Sequence, residues 1–437
     1  MLHFLAEIDH WVLLLALAGH CALGASITWL VVQHLRLRDA AMAEEARVLG
    51  QPLPSDAALP HVLVQIPTFN EGGLIRRAVA AVGALDWPRD RLHVQVCDDS
   101  TDGSTAAAET ALAALQERGI DAVLLHRTNR AGFKAGALGE GLRRSDAEFV
   151  AIFDADYVPP RDFLRRAMRP LIVDPGLALV QARCDYLNGD ANEMTYAQQR
   201  ILDAHFGVEQ ATRSWTDRVL PFNGTCGIFR RRAIDEAGGW RGDTLAEDLD
   251  LSYRIQLLGW RARFLVTVAV PGELPENRTT WATQQHRWNK GFAEVARKLL
   301  PSVWRSRLTF GQKLASTIHL GGCAFGALVA IAVVSGIIDF TVGIGPTPLA
   351  LFLLALAVVQ GVGVAMVMML LGQRLVRGAD MWTEARRLPA VIAIFLYGAM
   401  ASIRGVVEVV GGRATGFVRT PKTGGEPARQ DQARGAP

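Results

Sequence analysis

Two aspartates, two positions apart, follow a short apolar segment of the chain. Asp154 and Asp156 come directly after residues 149–153, an apolar run that contains neither Gly nor Pro. Such a run is typical of a central strand in a parallel sheet, and ligands of open α/β sheets bind beyond the carboxyl ends of these strands. Side chains two apart in an extended segment point the same way, so both carboxylates can face one Mg²⁺ or Mn²⁺ that carries a diphosphate. Acidic strand ends are common, so this interpretation needs support from neighbouring motifs.

A second acidic cluster occupies residues 98–104, after an earlier apolar segment. Asp102 or Ser104 would cap the helix that begins near residue 105, which is the simplest role for such residues. Capping does not explain why Asp98 and Asp99 also leave a strand at the edge where Asp154 is expected. We therefore favour binding of a nucleoside base or ribose by Asp98 and Asp99.

Lys134 opens a predicted helix after the Gly-containing loop at residues 130–133. A lysine at a helix N-terminus is a favourable site for a phosphate group. A solvated lysine on an amphipathic helix accounts for the same pattern, so both interpretations remain open here.

Glu247 and Asp248 lie in the apolar stretch at residues 245–251. Acids at the start of a helix commonly interact with its dipole. A carboxylate in an apolar cleft is also suited to act as a general base, because desolvation raises its pKa towards the working pH.

Gln284, Arg287 and Trp288 share one face of a predicted helix that precedes an apolar segment. An arginine can neutralise a leaving diphosphate, and a tryptophan offers a flat platform for a sugar ring. A membrane-surface helix with ordinary aromatic anchors is the alternative.

The elements that position these residues alternate between strands and helices. Strands are predicted at residues 61–66, 92–97, 122–126 and 149–153, and helices at residues 73–83, 105–118 and 134–143. This βαβ alternation predicts an α/β fold with a doubly wound, mostly parallel sheet and helices on both faces. The dinucleotide fingerprint G-x-G-x-x-G is missing after the first strand, where Pro67 to Glu71 stand instead.

Apolar residues are concentrated at the two ends of the 437-residue chain. Three segments are long enough to cross a bilayer as helices: residues 11–32, 315–338 and 349–371. The first lacks the positive n-region of a signal peptide, because Glu7 and Asp9 precede it without any Lys or Arg. Arg36 and Arg38 predict that its C-terminal end is cytosolic and that the N-terminus lies outside.

A fourth apolar segment, at residues 388–410, carries charges that disfavour a spanning helix. It contains Arg404 and Glu408, which are expensive at the centre of a bilayer, and basic residues flank it on both sides. We therefore expect interfacial or re-entrant helices here, three spans in all, and a cytosolic C-terminal tail.

The five cysteines have no paired or metal-ligand spacing, so we expect them to be reduced. The net charge of +3 says little by itself, and we expect no nucleic-acid partner.

Taken in order, these motifs resemble the signature of processive family 2 glycosyltransferases of the cellulose-synthase-like superfamily. The family pattern D, D-x-D, (T)-E-D and Q-x-x-R-W is matched by Asp98-Asp99, Asp154 to Asp156, Glu247-Asp248 and Gln284 to Trp288. The resemblance extends through residues 67–71, 134–136, 222–225 and 417–422. The amino-acid sequences of the motifs are most similar to those of mannan and glucomannan synthases and their bacterial relatives. One departure is Ala246, which stands where the family has Thr, so any contact made by that Thr is absent.

The resemblance implies a Rossmann-like GT-A fold and an inverting transfer from a nucleotide-sugar. It implies that the donor is bound by Thr68, Glu71, Asp98, Asp99, Lys134, Asp154, Gln284 and Arg287. Asp154 and Asp156 would hold Mg²⁺ or Mn²⁺, and Asp248, beside Glu247, would take the proton of the acceptor hydroxyl. The acceptor would be contacted by Trp288, Asn223, Gly224 and Thr225. A gating loop that closes over the nucleotide would contain Phe417, Arg419, Thr420 and Lys422, and it must then be cytosolic.

The same reasoning predicts a chain organisation in six parts. They are an N-terminal transmembrane helix (residues 1–34), a cytosolic GT-A domain (53–275), interfacial helices with the Q-x-x-R-W motif (276–312), two transmembrane helices (313–372), interfacial or re-entrant helices (373–412), and the gating-type loop with a disordered tail (413–437).

The function that this pattern favours is a multi-pass enzyme of the inner or plasma membrane. It would transfer a hexose from UDP-glucose or GDP-mannose to a growing β-linked polysaccharide. The alternatives are a synthase that adds a single sugar to ceramide or diacylglycerol, and a non-catalytic membrane scaffold. Three spans make a thin channel, so a homo-oligomer or a secretion partner is an open question.

Overall fold

A seven-stranded sheet forms the centre of the computed structural model, which describes residues 2–412. Its strands are β1 (Val62–Thr68), β2 (Leu92–Asp98), β3 (Asp121–His126), β4 (Phe149–Ile152), β5 (Leu177–Tyr186), β6 (Gly227–Arg230) and β7 (Arg261–Gly272). They lie in the order β3-β2-β1-β4-β6-β5-β7. Neighbouring strands are parallel, except that β6 runs antiparallel to β4 and β5. The predicted mostly parallel sheet is therefore confirmed.

Helices flank this sheet and continue beyond it. The α-helices of the described residues are α1 (Leu2–Leu49), α2 (Leu74–Val82), α3 (Ser104–Gln116), α4 (Phe133–Arg143), α5 (Phe163–Val173), α6 (Glu193–Ala204), α7 (Ala211–Trp215), α8 (Arg231–Glu236), α9 (Glu247–Leu257), α10 (Arg278–Arg305), α11 (Phe310–Gly321), α12 (Phe325–Val342), α13 (Pro348–Val358), α14 (Val364–Arg377), α15 (Met381–Ala385) and α16 (Leu388–Val410). Short 3-10 turns lie at Asp56–Ala58, Arg89–Arg91 and Gly322–Ala324, and π-helical turns lie at His205–Gln210 and Val359–Gly363. The four strands and three helices predicted near the start of the domain are confirmed, with bounds that shift by at most two residues.

Strand β1 shows why both faces of the sheet carry helices. Val64 and Ile66 pack into the apolar cluster that includes Ile75 of α2, whereas Leu63 packs into the cluster on the other face with Leu138 of α4. Alternate side chains of a strand point to opposite faces, so an almost entirely apolar strand needs a cover on each side. The carboxyl ends of β1, β2 and β4 therefore meet at one edge of the sheet, where Thr68 lies in register with Asp98.

Four helical segments are long and apolar enough to cross a membrane: Glu7–Leu49, Phe310–Val342, Pro348–Arg377 and Leu388–Val410. The first three contain the predicted spans. The fourth is one continuous helix of 23 residues, and the interfacial or re-entrant placement expected for this region stays a prediction. Three spans with an interfacial α16 remain a prediction.

Helix α16 packs along α10, which is rich in charged residues. Gly398 lies against the indole of Trp281, and Gly405 lies against the backbone of His286 and Lys290. Glu408 pairs with the fully buried Lys290, Oε2 to Nζ, at 3.2 Å. The acidic side chain of Glu408 is thus paired within the contact between α16 and α10.

Helix α1 extends from the apolar N-terminal segment to the sheet. Its 48 residues make it about 72 Å long, well beyond the roughly 30 Å of a bilayer core. Near its C-terminal end, the buried carboxylate of Glu45 accepts hydrogen bonds from the backbone N–H groups of Val266 and Thr267 at 3.0 and 2.8 Å, and from the Thr267 hydroxyl at 2.6 Å. These bonds attach α1 to β7.

Candidate active site

Asp154 is tied to two other segments at the carboxyl edge of the sheet. Lys134 Nζ lies 2.5 Å from Asp154 Oδ1 and also donates to the carbonyl oxygen of Gly224 at 2.8 Å. The backbone N–H of Asp154 donates to the hydroxyl of Thr225 at 3.0 Å. The alternative of a solvated Lys134 is wrong, because its side chain is largely buried and ion-paired.

Gly224 brings the loop at residues 222–225 against the acids of α9. Its φ of +79° belongs to the left-handed region, which favours glycine. A β-carbon at this position would lie 2.8 Å from Asp248 Oδ2 and 3.4 Å from Lys134 Nζ. The sequence motif at residues 222–225 thus lies in direct contact with both Lys134 and Asp248.

Glu247 and Asp248 begin α9 and are desolvated. Burial and, to a smaller extent, the charge of Asp248 raise the pKa of Glu247 to about 7, against the opposing charge of Lys134. Burial also raises the pKa of Asp248, against the opposing effects of Lys134 and of the Leu249 N–H, which donates to Asp248 Oδ1 at 2.8 Å. A raised pKa is what a carboxylate needs in order to accept a proton from a hydroxyl group.

Arg287 of α10 extends into the same cluster. Burial lowers the pKa of Arg287, and the negative charges of Glu247, Asp154, Asp248 and Asp156 oppose this shift. The four acids and Arg287 are therefore close enough for their charges to interact.

Gln284 and Trp288, which flank Arg287 on α10, differ in exposure. Gln284 is buried, whereas Trp288 is 38% exposed. The Trp288 ring meets Trp281 edge to face, with ring centroids 6.4 Å apart. Trp288 therefore keeps an open surface beside the cluster.

Helix α10 packs directly on the start of α9 at Ala246. A β-carbon added at Gly291 would lie 2.7 Å from the β-carbon of Ala246, which is itself buried. At this spacing, a larger residue at position 246 would press on α10. Ala246, the departure from the family pattern, is thus compatible with the close approach of Gly291.

Asp156 is less accessible than Asp154. It is 8% exposed, and its Oδ2 accepts the backbone N–H of Glu273 at 3.4 Å. Within residues 2–412, no group of three or more His, Cys, Asp or Glu side chains is arranged to hold a metal ion. Asp154 and Asp156 still fit Mg²⁺ or Mn²⁺, because these ions are commonly bound by one or two carboxylates together with substrate phosphates.

The acids after β2 have protein partners. Asp98 is fully buried and accepts hydrogen bonds from the Ser100 N–H at 3.0 Å, the Thr105 hydroxyl at 2.7 Å and His126 Nδ1 at 2.8 Å. Burial raises the pKa of Asp98, but these hydrogen bonds lower it by more, so the pKa is lowered overall. Asp98 thus stabilises the first turn of α3, and Asp102 accepts the Ser104 N–H at 2.9 Å, as the capping interpretation expects.

Asp99 forms a bidentate ion pair with Arg127, at 2.7 and 2.6 Å. Thr68 lies beside it, since the Asp99 N–H donates to the Thr68 carbonyl at 3.0 Å. Within the described part of the chain, the buried Thr68 hydroxyl has no hydrogen-bond partner. Glu71 follows in the loop between β1 and α2. Nucleoside binding by these residues stays a prediction.

Sequence reasoning missed several residues that hold this site together. Arg127 pairs with Asp99, and Gln181 of β5 accepts the Asn223 N–H at 3.1 Å and donates to the Thr225 carbonyl at 3.0 Å. A glutamine inside the apolar strand at residues 177–182 was a signal that could have found Gln181.

The predicted gating residues Phe417, Arg419, Thr420 and Lys422 lie outside the described residues.

Comparison with known proteins places these features in context. The family described as Glycosyltransferase like family 2 matches residues 60–291. Glucomannan 4-beta-mannosyltransferase 2 of Arabidopsis thaliana is 44% identical over 272 residues, which cover 60% of this chain and 51% of that protein. Glucomannan 4-beta-mannosyltransferase 1 of Oryza sativa subsp. japonica is 42% identical over 273 residues, covering 60% and 52%. The chain thus spans about half the length of the curated relatives it matches.

Among solved structures, the chain is similar to the mannosyltransferase PcManGT from Pyrobaculum calidifontis, whose structure is in complex with GDP-Man and Mn²⁺. The TM-score is 0.51 at 24% sequence identity, and the alignment covers 86% of this chain and 98% of that one. This similarity supports the fold of the sheet domain.

Proposed function

Because the chain belongs to glycosyltransferase family 2, we propose that it transfers a hexose from a nucleotide-sugar to a growing β-linked polysaccharide at a membrane. The observation that carries this proposal is the partly buried cluster of Lys134, Asp154, Asp248 and Arg287 at the carboxyl edge of the sheet. The cluster combines a desolvated base with two cations that face carboxylates. These are the groups that transfer to a sugar hydroxyl from a diphosphate leaving group requires.

In the proposed reaction, Asp248 takes the proton of an acceptor hydroxyl while the hydroxyl oxygen attacks the anomeric carbon of the donor. The new carbon–oxygen bond forms as the bond to the diphosphate breaks, and the diphosphate leaves with the electron pair. Attack from the opposite face inverts the configuration of that carbon. Arg287 and Lys134 offset the charge that develops on the leaving group. Asp154 and Asp156 would hold Mg²⁺ or Mn²⁺, which supplies electrostatic stabilisation of the same diphosphate when bound.

For the donor, we propose GDP-mannose as the first candidate and UDP-glucose as the second. The curated relatives are named glucomannan mannosyltransferases, and PcManGT is a mannosyltransferase in complex with GDP-Man and Mn²⁺. The exposed face of Trp288 suits a stacked acceptor sugar, which favours a polysaccharide over a lipid acceptor. A single-sugar glycolipid synthase is the second candidate function.

We further propose that the sheet domain is cytosolic, with the N-terminus outside and α16 at the membrane surface. The supporting observations are the basic residues that follow the first apolar segment and the polar contacts between α16 and α10. Whether secretion needs an oligomer or a partner is a separate question for experiment.

The proposal is tested with membranes that contain the full chain. They are incubated with radiolabelled GDP-mannose or UDP-glucose and Mg²⁺ or Mn²⁺, and the product is sized before and after digestion with a β-mannanase or a β-glucanase. A long, digestible product is expected with one donor. A product with one sugar on a lipid would replace the polysaccharide proposal by the glycolipid one, and no transfer from either donor would favour the scaffold.

A further inference from the structure

The side-chain amide of Asn223 is fixed through its oxygen and not through its nitrogen. Asn223 Oδ1 accepts a hydrogen bond from Gln210 Nε2 at 3.0 Å and lies 3.4 Å from His205 Nε2. Asn223 Nδ2 is buried and has no hydrogen-bond acceptor among the described residues. Burial of an unpaired amide donor is costly, so a donor kept in this state calls for a partner from outside the protein.

The two residues that fix this amide come from the π-helical turn His205–Gln210, which lies between α6 and α7. Residues five apart in an α-helix point in different directions, whereas here His205 Nε2 and Gln210 Nε2 are 3.3 Å apart. Single π-helical turns within helices are frequently found at functional sites. The turn thus brings two polar side chains to the same atom of Asn223.

His205 is oriented by its own partners. Its Nδ1 lies 3.0 Å from Glu209 Oε2, and Glu209 Oε1 accepts a hydrogen bond from Arg213 Nε at 3.0 Å. With Nδ1–H donating to the carboxylate, Nε2 is left as an acceptor. The fully buried Gln210 can then donate one Nε2 hydrogen to His205 and the other to Asn223 Oδ1.

Asn223 precedes Gly224, the glycine that contacts the proposed base. Gly224 contacts the Asp248 carboxylate. The backbone N–H of Asn223 donates to Gln181 Oε1 at 3.1 Å. Backbone and side chain are therefore both fixed beside the place where the acceptor hydroxyl must lose its proton.

We propose that His205 and Gln210 are positioning residues that orient the Asn223 amide, so that Nδ2 donates a hydrogen bond to a hydroxyl oxygen of the acceptor sugar. This inference rests on the proposed function and adds to it the residues that set the affinity for the acceptor. It assigns a task to the π-helical turn, which the reaction scheme above does not use.

The test uses the detergent-solubilised full chain and measures binding of β-1,4-linked mannohexaose and cellohexaose, with GDP and UDP binding measured in parallel. In Gln210→Glu, the Asn223 amide turns over to donate to the new carboxylate, and Oδ1 takes the place of Nδ2. Glutamate has nearly the same shape as glutamine, so the fold is expected to be retained. Affinity for the hexasaccharide is expected to fall about tenfold, with nucleotide affinity within about twofold of the wild type.

Two further variants keep the test decisive. Asn223→Asp replaces Nδ2 by an oxygen without a change of shape, so it should weaken hexasaccharide binding to a similar extent. His205→Leu removes the acceptor that holds the second Gln210 hydrogen and should act in the same direction. Gln198→Glu is the matched control, because Gln198 is also fully buried but donates to the carbonyls of Met194 and Pro275.

The inference is overturned if Gln210→Glu and Asn223→Asp bind the hexasaccharides like the wild type, if Gln198→Glu loses as much affinity, or if the wild type binds neither hexasaccharide. Failure of the proposed function looks different. In that case no sugar is transferred from either donor, while hexasaccharide binding and its dependence on Gln210 persist.

Discussion

The α-carbon of Gly224 lies against the carboxylate of Asp248, and a β-carbon added at Gly224 would lie 2.8 Å from Asp248 Oδ2. The loop at residues 222–225 and the start of α9 are separated by about 20 residues of chain, and they meet at a position without a side chain. The position of the proposed base therefore depends on this glycine.

Gly224→Ala is expected to lower kcat by about a hundredfold, because the new methyl group displaces the Asp248 carboxylate and small displacements of a catalytic group are costly. The positive φ of Gly224 adds backbone strain, so a control for strain is needed. Gly239 has a φ of +72° and nothing within 4 Å of an added β-carbon. Gly239→Ala should thus cost about 1–2 kcal/mol of folding free energy and leave kcat unchanged. Equal losses of kcat in both variants would show that strain alone is responsible.

Asp248→Asn is expected to reduce transfer by about 10² to 10⁴, because an amide cannot accept the proton of the acceptor hydroxyl. Binding of the nucleoside diphosphate should persist, since the proposed donor contacts lie elsewhere. Initial rates with labelled donor and calorimetric binding of GDP separate the two effects. Asp243→Asn is the control, because Asp243 pairs with Lys298 at 2.7 Å outside the cluster. Loss of GDP binding in Asp248→Asn would count against the assignment of the base.

Glu247 gives the protein a pH-dependent stability. Its pKa is raised to about 7 from an ordinary value of 4.5. Between these two values the folded protein keeps a proton that the unfolded chain has released, so the free energy of unfolding falls as the pH rises through this window and levels off above pH 7. The full effect amounts to roughly 3 kcal/mol. Glu247→Gln removes the titration.

The measurement is the Tm of the wild type minus that of Glu247→Gln, taken in EDTA without nucleotide from pH 4.5 to 8. This difference should decrease as the pH rises and then become constant. Glu109→Gln changes an exposed acid of α3 and is the control for the loss of one carboxylate at the surface. A difference for Glu247→Gln that is flat or rises with pH would refute the assignment.

The parallel part of the sheet could be predicted from the sequence because its strands are covered on both faces. That environment leaves continuous apolar runs such as residues 149–153, and the acids at their ends mark the edge where ligands bind. Strand β6 could not be predicted, since four residues carry no signal of direction and its antiparallel pairing depends on β4 and β5.

The contacts of the site residues with the rest of the protein could not be predicted from the sequence either. The local pattern located Asp99 and Lys134, but not Arg127 or the contact between Lys134 and Gly224, which join residues 28 and 90 positions apart. The π-helical turn at His205–Gln210 left no pattern that was recognised. Motifs were thus visible in the sequence, whereas the contacts that orient them arise only from tertiary packing.

Arg127→Met is expected to destabilise the fold by about 3–5 kcal/mol, because it leaves the buried Asp99 carboxylate without its cation. The corresponding decrease in Tm should be partly restored in the double variant Asp99→Asn with Arg127→Met. Arg144→Met is the control, since Arg144 is 57% exposed and pairs with Glu140 across one helical turn. That change should cost less than about 0.5 kcal/mol. A small, equal effect of both single variants would mean that the Asp99 pair contributes little.

Glu45→Gln tests the attachment of α1 to the sheet. The carboxylate of Glu45 is 6% exposed and accepts three hydrogen bonds from Val266 and Thr267. An amide keeps one acceptor oxygen and turns its NH₂ group towards a backbone N–H, so at least one bond is lost and two donors face each other. Hydrogen bonds to a charged group contribute about 1.5–3 kcal/mol, and the expected destabilisation is of that order.

The readouts are Tm in detergent and the rate of limited proteolysis within residues 50–61, which should rise as α1 separates from β7. Glu44→Gln is the matched control, because the Glu44 side chain is 44% exposed and pairs with Arg47 at 2.7 Å on the same helix. If both variants keep the wild-type Tm and proteolysis rate, α1 is held to the sheet by apolar packing and Glu45 has no part in it.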